Sequence, residues 1–247
     1  MTHTPAVLVV TAVRAEAEAV AGGLGGAEPT RLGPFPLWRC ASADVLAGGV
    51  GMAAAAAAAA YALARSAYRL VVCAGIAGGF MPPTSIGDLV VADAVHAADL
   101  GIVTDAGLVP LDVAGAEPGL PEPNPIATPL RAALLVGGLA PTVGGVVTVC
   151  GVTGSEDRSE ELRRRYPRAV AEAMEGYGVG VAAVQANVPF AEVRAVSNRV
   201  GRRERERWDI PTALASLGKG FAALAGFFDT SASFFDTNGS GNRTEYA

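Results

Sequence analysis

The sequence predicts one α/β domain with three αβα layers around a central, twisted sheet that is mixed but mainly parallel. Short apolar segments typical of buried strands alternate with helix-forming segments along most of the 247 residues. Such alternation favours parallel strands covered by helices on both faces. Hydrophobic residues make up 51% of the chain and charged residues 17%, which supplies a large core and excludes a disordered chain.

The first half of the chain begins with an apolar strand and a helix. Ala6–Val10 is continuously apolar, and Arg14–Leu24 predicts a helix that two glycines end. The segments Leu37–Ala41 and Val45–Ala47 predict a hairpin. An alanine-rich run then predicts a strong helix over residues 53–65.

The second half continues the alternation on either side of a loop. Strands are expected at residues 69–74, 88–99, 142–150, 170–174 and 190–196, and helices at 128–139, 156–166, 176–186 and 209–227. Residues 104–126 are rich in Gly, Pro and Asp and predict a surface loop. We expect a single domain over residues 1–228 and a mostly disordered tail over residues 229–247.

Charge and cysteine content exclude several protein classes. The net charge of −5 and the pI of about 5.1 argue against a nucleic-acid-binding surface. The three cysteines, Cys40, Cys73 and Cys150, form no CxxC pair, which fits a protein of the reducing cytoplasm without a zinc site. Glycine and proline interrupt the long uncharged stretches at residues 45–64 and 132–155, so no membrane span is expected.

Common catalytic and cofactor-binding motifs are missing from the sequence. It contains no GxxxxGK[ST] loop, no GxSxG turn and no HExxH pair. Of the two histidines, His3 is close to the terminus and His96 lies in a predicted strand, where a structural role is expected. We therefore expect neither a metal ion nor a cofactor.

Charged and amide side chains stand at the ends of predicted strands, where ligands bind in parallel sheets. Glu16 opens the helix after the first strand, and Glu175 follows a later strand. Arg194, Ser197 and Asn198 surround the end of the next strand. Glu16, Glu175 and Arg194 also have a structural interpretation, because acids stabilise helix N-termini and a buried arginine needs a carboxylate partner.

Two carboxylates, an arginine and an amide suit the cleavage of a bond to a sugar carbon. The transition state of that reaction resembles an oxocarbenium ion, which nearby carboxylates stabilise. The departing base becomes negative and needs hydrogen-bond donors. The sequence therefore favours a glycosidic-bond enzyme over a histidine-based or metal-based one.

Six short motifs, in this order and spacing, resemble the nucleoside phosphorylase and nucleosidase superfamily. They are AxxxE at Ala12–Glu16, GxGMAAA at Gly49–Ala55, AGIAGG at Ala74–Gly79, GDLVVAD at Gly87–Asp93, AMEG at Ala173–Gly176 and VRAVSN at Val193–Asn198. The resemblance implies a nucleoside phosphorylase-like fold, a small nucleoside substrate and a homo-oligomer. In this superfamily a neighbouring subunit commonly covers the 5′ side of the ribose, and residues 99–110 are the corresponding loop here.

Within the superfamily, MEG followed by SNRVG and RRERERWDIPTAL is most similar to nucleosidases that release hypoxanthine. The resemblance implies that Glu16 helps to activate water, that Arg194 lies near that water and that Glu175 binds the ribose 2′-hydroxyl. Met174 would lie against the ribose, and Val152 and Thr153 would line the base pocket.

Two positions depart from the adenine-releasing nucleosidases. Those enzymes have Asp after the serine that corresponds to Ser197, where this chain has Asn198. An amide can donate to both N7 and O6 of hypoxanthine, although it can also pair with adenine. Ile76 stands where nucleosidases often have Ser, which changes the expected water pocket.

Several functions remain open at this point. A phosphorylase would need several arginines around phosphate, whereas Glu16 would repel that anion; Arg14, however, is close in sequence. Nucleosidases or phosphorylases of methylthioadenosine, S-adenosylhomocysteine or inosine are alternatives within the enzymes. A nucleoside-binding protein without turnover is the alternative outside them, although it would not need both Glu16 and Glu175.

Overall fold

The structure, a computed structural model, describes residues 6–105, 107–110 and 120–238. The strands in these residues are β1 Val7–Thr11, β2 Pro29–Leu32, β3 Phe35–Arg39, β4 Asp44–Ala47, β5 Leu70–Gly79, β6 Leu89–Ala97, β7 Gly101–Thr104, β8 Gly107–Pro110, β9 Thr142–Thr148, β10 Ala169–Ala173 and β11 Phe190–Arg199. The α-helices are α1 Arg14–Gly23, α2 Met52–Leu63, α3 Ala127–Val136, α4 Glu156–Arg165, α5 Gly176–Gln185 and α6 Ile210–Asn238.

Nine strands form one mixed sheet in the order β10–β9–β6–β11–β5–β1–β4–β3–β2. The central strands β4, β1, β5 and β11 are parallel, and β6, β9 and β10 form a second parallel group that meets β11 in the antiparallel sense. The end of β5 also pairs with β10, through Gly78 and Glu172. This extra pairing closes β5, β11, β6, β9 and β10 into a ring, which brings β10 and β11 against opposite edges of the end of β5.

Helices cover both faces of the sheet. On one face, α1, α3 and α6 pack against apolar side chains of β1, β5 and β11. On the other face, α2 and α5 pack against each other and the sheet, and the buried stripe of α2 consists of small side chains: Ala55, Ala58, Ala59 and Ala62. The predicted three-layer arrangement is confirmed.

The glycine-rich segment after residue 74 differs from the expectation. We expected a loop there, but β5 continues through it to Gly79. Likewise β11 continues to Arg199, so Ser197 and Asn198 lie inside a strand rather than after it. Pairing with β11 and β10 supplies the backbone hydrogen bonds of these glycines, which tertiary structure can do despite their low strand propensity. An irregularity between Val196 and Asn198 shifts the register of β11 by one residue.

Other boundaries were wrong for local reasons. The hairpin β7–β8 occupies the start of the expected surface loop, and residues 111–119 lie outside the described part of the chain. The edge strand β2 was not expected. Helix α6 extends to Asn238 rather than ending at Phe227, because neither Gly nor Pro occurs between residues 227 and 238 to stop it. The first part of the expected tail is therefore helical, and residues 239–247 lie outside the described chain.

Helix α6 is long and apolar enough over Ile210–Thr230 to cross a membrane by length and composition. In this structure Leu217, Phe221 and Leu224 of that helix are fully buried. They pack into the core shared with α1 and β11. These apolar side chains of α6 thus form part of the core of the domain.

Candidate active site

The carboxylate of Glu16 connects the first loop of the fold to β5. Its Oε2 accepts hydrogen bonds from the backbone N–H groups of Ala12, at 3.0 Å, and Val13, at 3.1 Å. Its Oε1 accepts one from the N–H of Ile76, at 2.9 Å. Two of these bonds cap α1, as the structural interpretation of Glu16 requires. The third reaches across to the sheet, so the side chain is held at the carboxyl ends of β1 and β5.

Glu16 and Arg194 come close together over Gly75. A Cβ atom on Gly75 would lie 2.5 Å from Oε1 of Glu16 and 2.8 Å from Nη1 of Arg194. No other amino acid fits this position without displacing one of the two charged groups. The glycine therefore lets a carboxylate and a guanidinium approach the same point of β5.

Arg194 is fully buried and binds three side chains. Its Nη1 lies 3.2 Å from Oε2 of Glu175, and its Nε donates to Oε1 of Glu192 at 2.8 Å. Its Nη2 donates to Sγ of Cys73 at 3.2 Å. The buried ion pair expected for this arginine exists, with two carboxylates rather than one.

Glu175 stands at the start of α5 but does not cap it with its side chain. Instead, Oε1 accepts a hydrogen bond from the N–H of Gly51 at 3.0 Å, while Oε2 faces Arg194 and the N–H of Met174. Gly51 has a φ of +92°, a conformation that favours glycine. The glycine loop before α2 thus holds Glu175 in place. The residue occupies the N-cap position of α5, as expected, but its side chain makes no capping hydrogen bond.

The carboxylates of this cluster are deprived of water. Burial raises the pKa of Glu16, the positive charge of Arg194 opposes that rise, and the charge of Glu175 adds to it. Burial also raises the pKa of Glu192, against the same opposition from Arg194. One guanidinium therefore faces three carboxyl groups, and a raised pKa is typical of a group that gains or loses a proton during catalysis.

A second group of predicted residues lies farther along β5, around Gly78. Asn198 on β11 and Glu172 on β10 pair with Gly78 from opposite sides. Both the N–H and the hydroxyl of Thr153 donate to the carboxylate of Glu172, the N–H at 2.9 Å. The Ser197 hydroxyl lies 2.8 Å from Oδ1 of Asn198, whose amide nitrogen donates to the backbone oxygen of residue 199 at 3.0 Å.

The predicted site residues fall into these two adjoining groups. Glu16 contacts Ile76, Glu175 contacts Arg194, and the two pairs approach each other over Gly75; Met174 adjoins Glu175. Asn198, Ser197 and Thr153 surround the end of β5, and Val152 is half-exposed beside Thr153. All nine candidates therefore lie at the same end of the sheet, around the last residues of the central strand β5.

Three residues of the site were not singled out from the sequence: Cys73, Glu172 and Glu192. The two acids carried a usable signal, because each is a charged residue inside a strand with apolar residues on either side of it. Cys73 carried none, since a buried cysteine on a central strand is an ordinary core residue.

Comparison with known proteins identifies the family of this chain. The sequence pattern of the phosphorylase superfamily matches residues 43–230. The chain therefore belongs to that superfamily, as its six motifs indicated.

Individual proteins match the chain over most of its length. The futalosine hydrolase of Acidothermus cellulolyticus is 55% identical over 218 residues, covering 88% of this chain and 89% of that protein. The futalosine hydrolase of Streptomyces coelicolor is 47% identical over 226 residues, covering 88% and 94%. The fold matches the native structure of futalosine hydrolase from Helicobacter pylori with a TM-score of 0.76 at 16% identity, covering 91% of this chain and 98% of that one.

Proposed function

We propose that the protein hydrolyses the N-glycosidic bond of futalosine and releases hypoxanthine and dehypoxanthine futalosine, a step of menaquinone biosynthesis. The observation that carries this proposal is the cluster of Glu16, Glu175 and Arg194 around Gly75. Its acids are buried near the carboxyl ends of the parallel strands, where ligands of this fold class bind. The two futalosine hydrolases that resemble the chain along most of its length support the choice of substrate.

Glu175 is the residue that stabilises the ribosyl cation. Gly51 and Arg194 fix its carboxylate, which accepts a hydrogen bond from the ribose 2′-hydroxyl. As the sugar ring becomes cationic, the attraction between ring and carboxylate increases, so the contact is stronger in the transition state than in the ground state. Met174 packs against the ribose from the preceding position.

Glu16 prepares the attacking water. Three backbone N–H groups fix its orientation, and Oε1 lies over Gly75 close to Arg194. A water beside this carboxylate gives a proton to Glu16 as the water oxygen bonds to C1′ of the sugar and the bond from C1′ to the base breaks. The raised pKa of Glu16 makes it a better proton acceptor than an exposed glutamate.

Asn198 binds the leaving base. One N–H of its amide is used by the backbone oxygen of residue 199, and Oδ1 accepts from Ser197. The other N–H is left for an acceptor of hypoxanthine, O6 or N7. Val152 and Thr153 line the base pocket, and Ile76 lies between this pocket and Glu16. Because an amide cannot act as an acid, the base leaves as a hydrogen-bonded anion or takes its proton from water.

Water rather than phosphate is the nucleophile in this proposal. Arg14, the arginine nearest to the first loop in sequence, is exposed and pairs with Glu18 at 2.7 Å, away from Glu16. Arg194 is already bound to two carboxylates and a thiol. A phosphate dianion placed over Gly75 would meet a carboxylate there and no uncommitted arginine among the described residues.

The enzyme acts as a homo-oligomer in the cytoplasm. The hairpin β7–β8 carries exposed apolar side chains, with Ile102 at 55%, Val103 at 83% and Val109 at 49% exposed. A neighbouring subunit that buries this hairpin accounts for them. Three free thiols, one of them exposed, fit a reducing compartment.

The decisive experiment compares futalosine, inosine and methylthioadenosine with and without phosphate, and identifies the free base and the sugar product. We expect hypoxanthine from futalosine at a rate independent of phosphate. Adenine release from methylthioadenosine as the fastest reaction would overturn the substrate. A sugar 1-phosphate formed only with phosphate would overturn hydrolysis.

A further inference from the structure

Glu192 is a buried acid that the proposed mechanism does not use. Its side chain is 0% exposed, and its Oε1 accepts the hydrogen bond from Nε of Arg194 at 2.8 Å. Its Oε2 has no hydrogen-bond partner among the described residues. The residue precedes Arg194 by two positions on β11, so both side chains project from the same face of the strand.

Stability alone does not explain an acid at this position. The flanking residues of β11 are apolar and fully buried, and burying a carboxyl group with an unpaired oxygen costs free energy. The fold nevertheless leaves room for it. A Cβ atom on Gly176 would lie 2.1 Å from Oε2 of Glu192, so the start of α5 is shaped around this carboxyl group.

The bond to Nε fixes the one part of Arg194 that its other partners leave free. Glu175 faces Nη1, and the thiol of Cys73 faces Nη2. Thiol sulfur is a weak acceptor, so without Glu192 the guanidinium has one strong partner and can rotate about it. Such a rotation changes the direction in which the guanidinium faces Glu16 over Gly75.

We propose that Glu192 is a positioning residue, which holds Arg194 so that its guanidinium lies between Glu175 and the water site beside Glu16. This role rests on the proposed hydrolytic function of that site. Glu192 itself touches neither sugar nor water; it acts through Arg194.

The test uses two substitutions of Glu192 in the full chain. Glu192→Leu removes the acceptor for Nε, and we expect kcat for futalosine to fall by about 10²-fold, the scale of a misplaced catalytic group, while KM changes little. Glu192→Gln keeps an oxygen acceptor at the same place and should retain most of the wild-type kcat. If the leucine variant fails to fold, Glu192→Asp, which withdraws the carboxylate by one methylene, takes its place.

A second readout does not depend on the substrate. The Nε–H resonance of Arg194, assigned by comparison with Arg194→Lys, reports the bond to Glu192 in ¹⁵N-labelled protein. We expect its chemical shift to be kept in Glu192→Gln and lost in Glu192→Leu. If wild-type enzyme is inactive on futalosine, the proposed function fails, while this resonance still decides whether Glu192 anchors Arg194.

Asp44→Asn is the matched control, because Asp44 is equally buried and binds Tyr68 at the opposite end of the sheet. It should lower stability without lowering kcat. A leucine variant with unchanged kcat per folded molecule, or with an unchanged Arg194 resonance, overturns the proposal.

Discussion

Nη1 of Arg194 lies 3.2 Å from Oε2 of Glu175, and this ion pair links the central strand β11 to the start of α5. Neither side chain is accessible enough to water to be a surface ion pair. Removing one partner leaves the other as an uncompensated buried charge, so both activity and stability respond to substitution here.

Glu175→Gln removes the negative charge but keeps the shape of the side chain. We expect kcat to fall by at least ~10²-fold, since an electrostatic contact that strengthens in the transition state is lost. Steady-state kinetics with futalosine measure the change. Glu160→Gln, on the exposed face of α4, is the control and should leave kcat as it is. Unchanged turnover of the Glu175 variant would refute the assigned role.

The ionisation of Glu16 sets the acid limb of the pH profile. Only the ionised carboxylate can accept a proton from water, so kcat/KM decreases as the pH falls through its pKa. Because burial raises that pKa, the limb should lie above the ordinary value of 4.5. Glu18→Gln, which changes an exposed acid on the same helix, should leave the acid limb of the pH profile unchanged. A rate that stays flat below pH 4.5 would contradict Glu16 as the base.

Gly75→Ala tests the close approach of Glu16 and Arg194. The added Cβ atom would meet Oε1 of Glu16 at 2.5 Å, so one of the two charged groups must move. We expect kcat to drop by about 10²-fold, as for other displacements of about an ångström in active sites. Gly22→Ala adds the same atom on α1 where nothing lies within 4 Å. That control should remain fully active.

Asn198→Asp changes the selectivity for the base. An ionised aspartate offers only acceptors, so it repels the acceptor of hypoxanthine, O6 or N7, to which the Asn198 amide donates in the proposed function. We expect kcat/KM for futalosine to fall by about 10²-fold, the scale of one base-reading contact. Adenine nucleosides should be affected less. Asn187→Asp, in the exposed turn after α5, is the control; equal losses for both base types would contradict the role of Asn198.

Residues 231–247 are expected to be dispensable. Phe228 is the last buried side chain that the structure describes on α6, and we predict that the domain ends there. A chain that stops after Thr230 should keep the Tm and kcat of the full protein. Thermal unfolding and the futalosine assay check this, and a marked loss in either would place a functional or stabilising element in the tail.

The alternation of strands and helices was readable because most elements have a single strong local signal. The alanine run of α2 and the apolar β1 are examples, and both were predicted within two residues. The glycines of β5 carry the opposite local signal, since glycine disfavours strands. Only pairing with β11 and β10, which joins residues about 90 to 120 positions apart, makes them a strand.

The sequence singled out nine residues of the candidate site, but it revealed neither their contacts nor Cys73, Glu172 and Glu192. Glu16, Glu175 and Arg194 stood out as charged residues at strand ends. The partners that fix them are backbone N–H groups, such as those of Gly51 and Ile76, which no residue type reveals. The irregularity that sets the position of Asn198 on β11 is likewise a property of the folded sheet.

The guanidinium of Arg194 and the amide of Asn198 belong to one strand, with three residues between them. In the proposed function the guanidinium holds the acids beside the sugar and the amide binds the base, so a substitution at position 198 changes which nucleobase is accepted and leaves the buried acids in place. Choice of the base and cleavage of the bond are thus assigned to separate positions of β11, each open to change by itself.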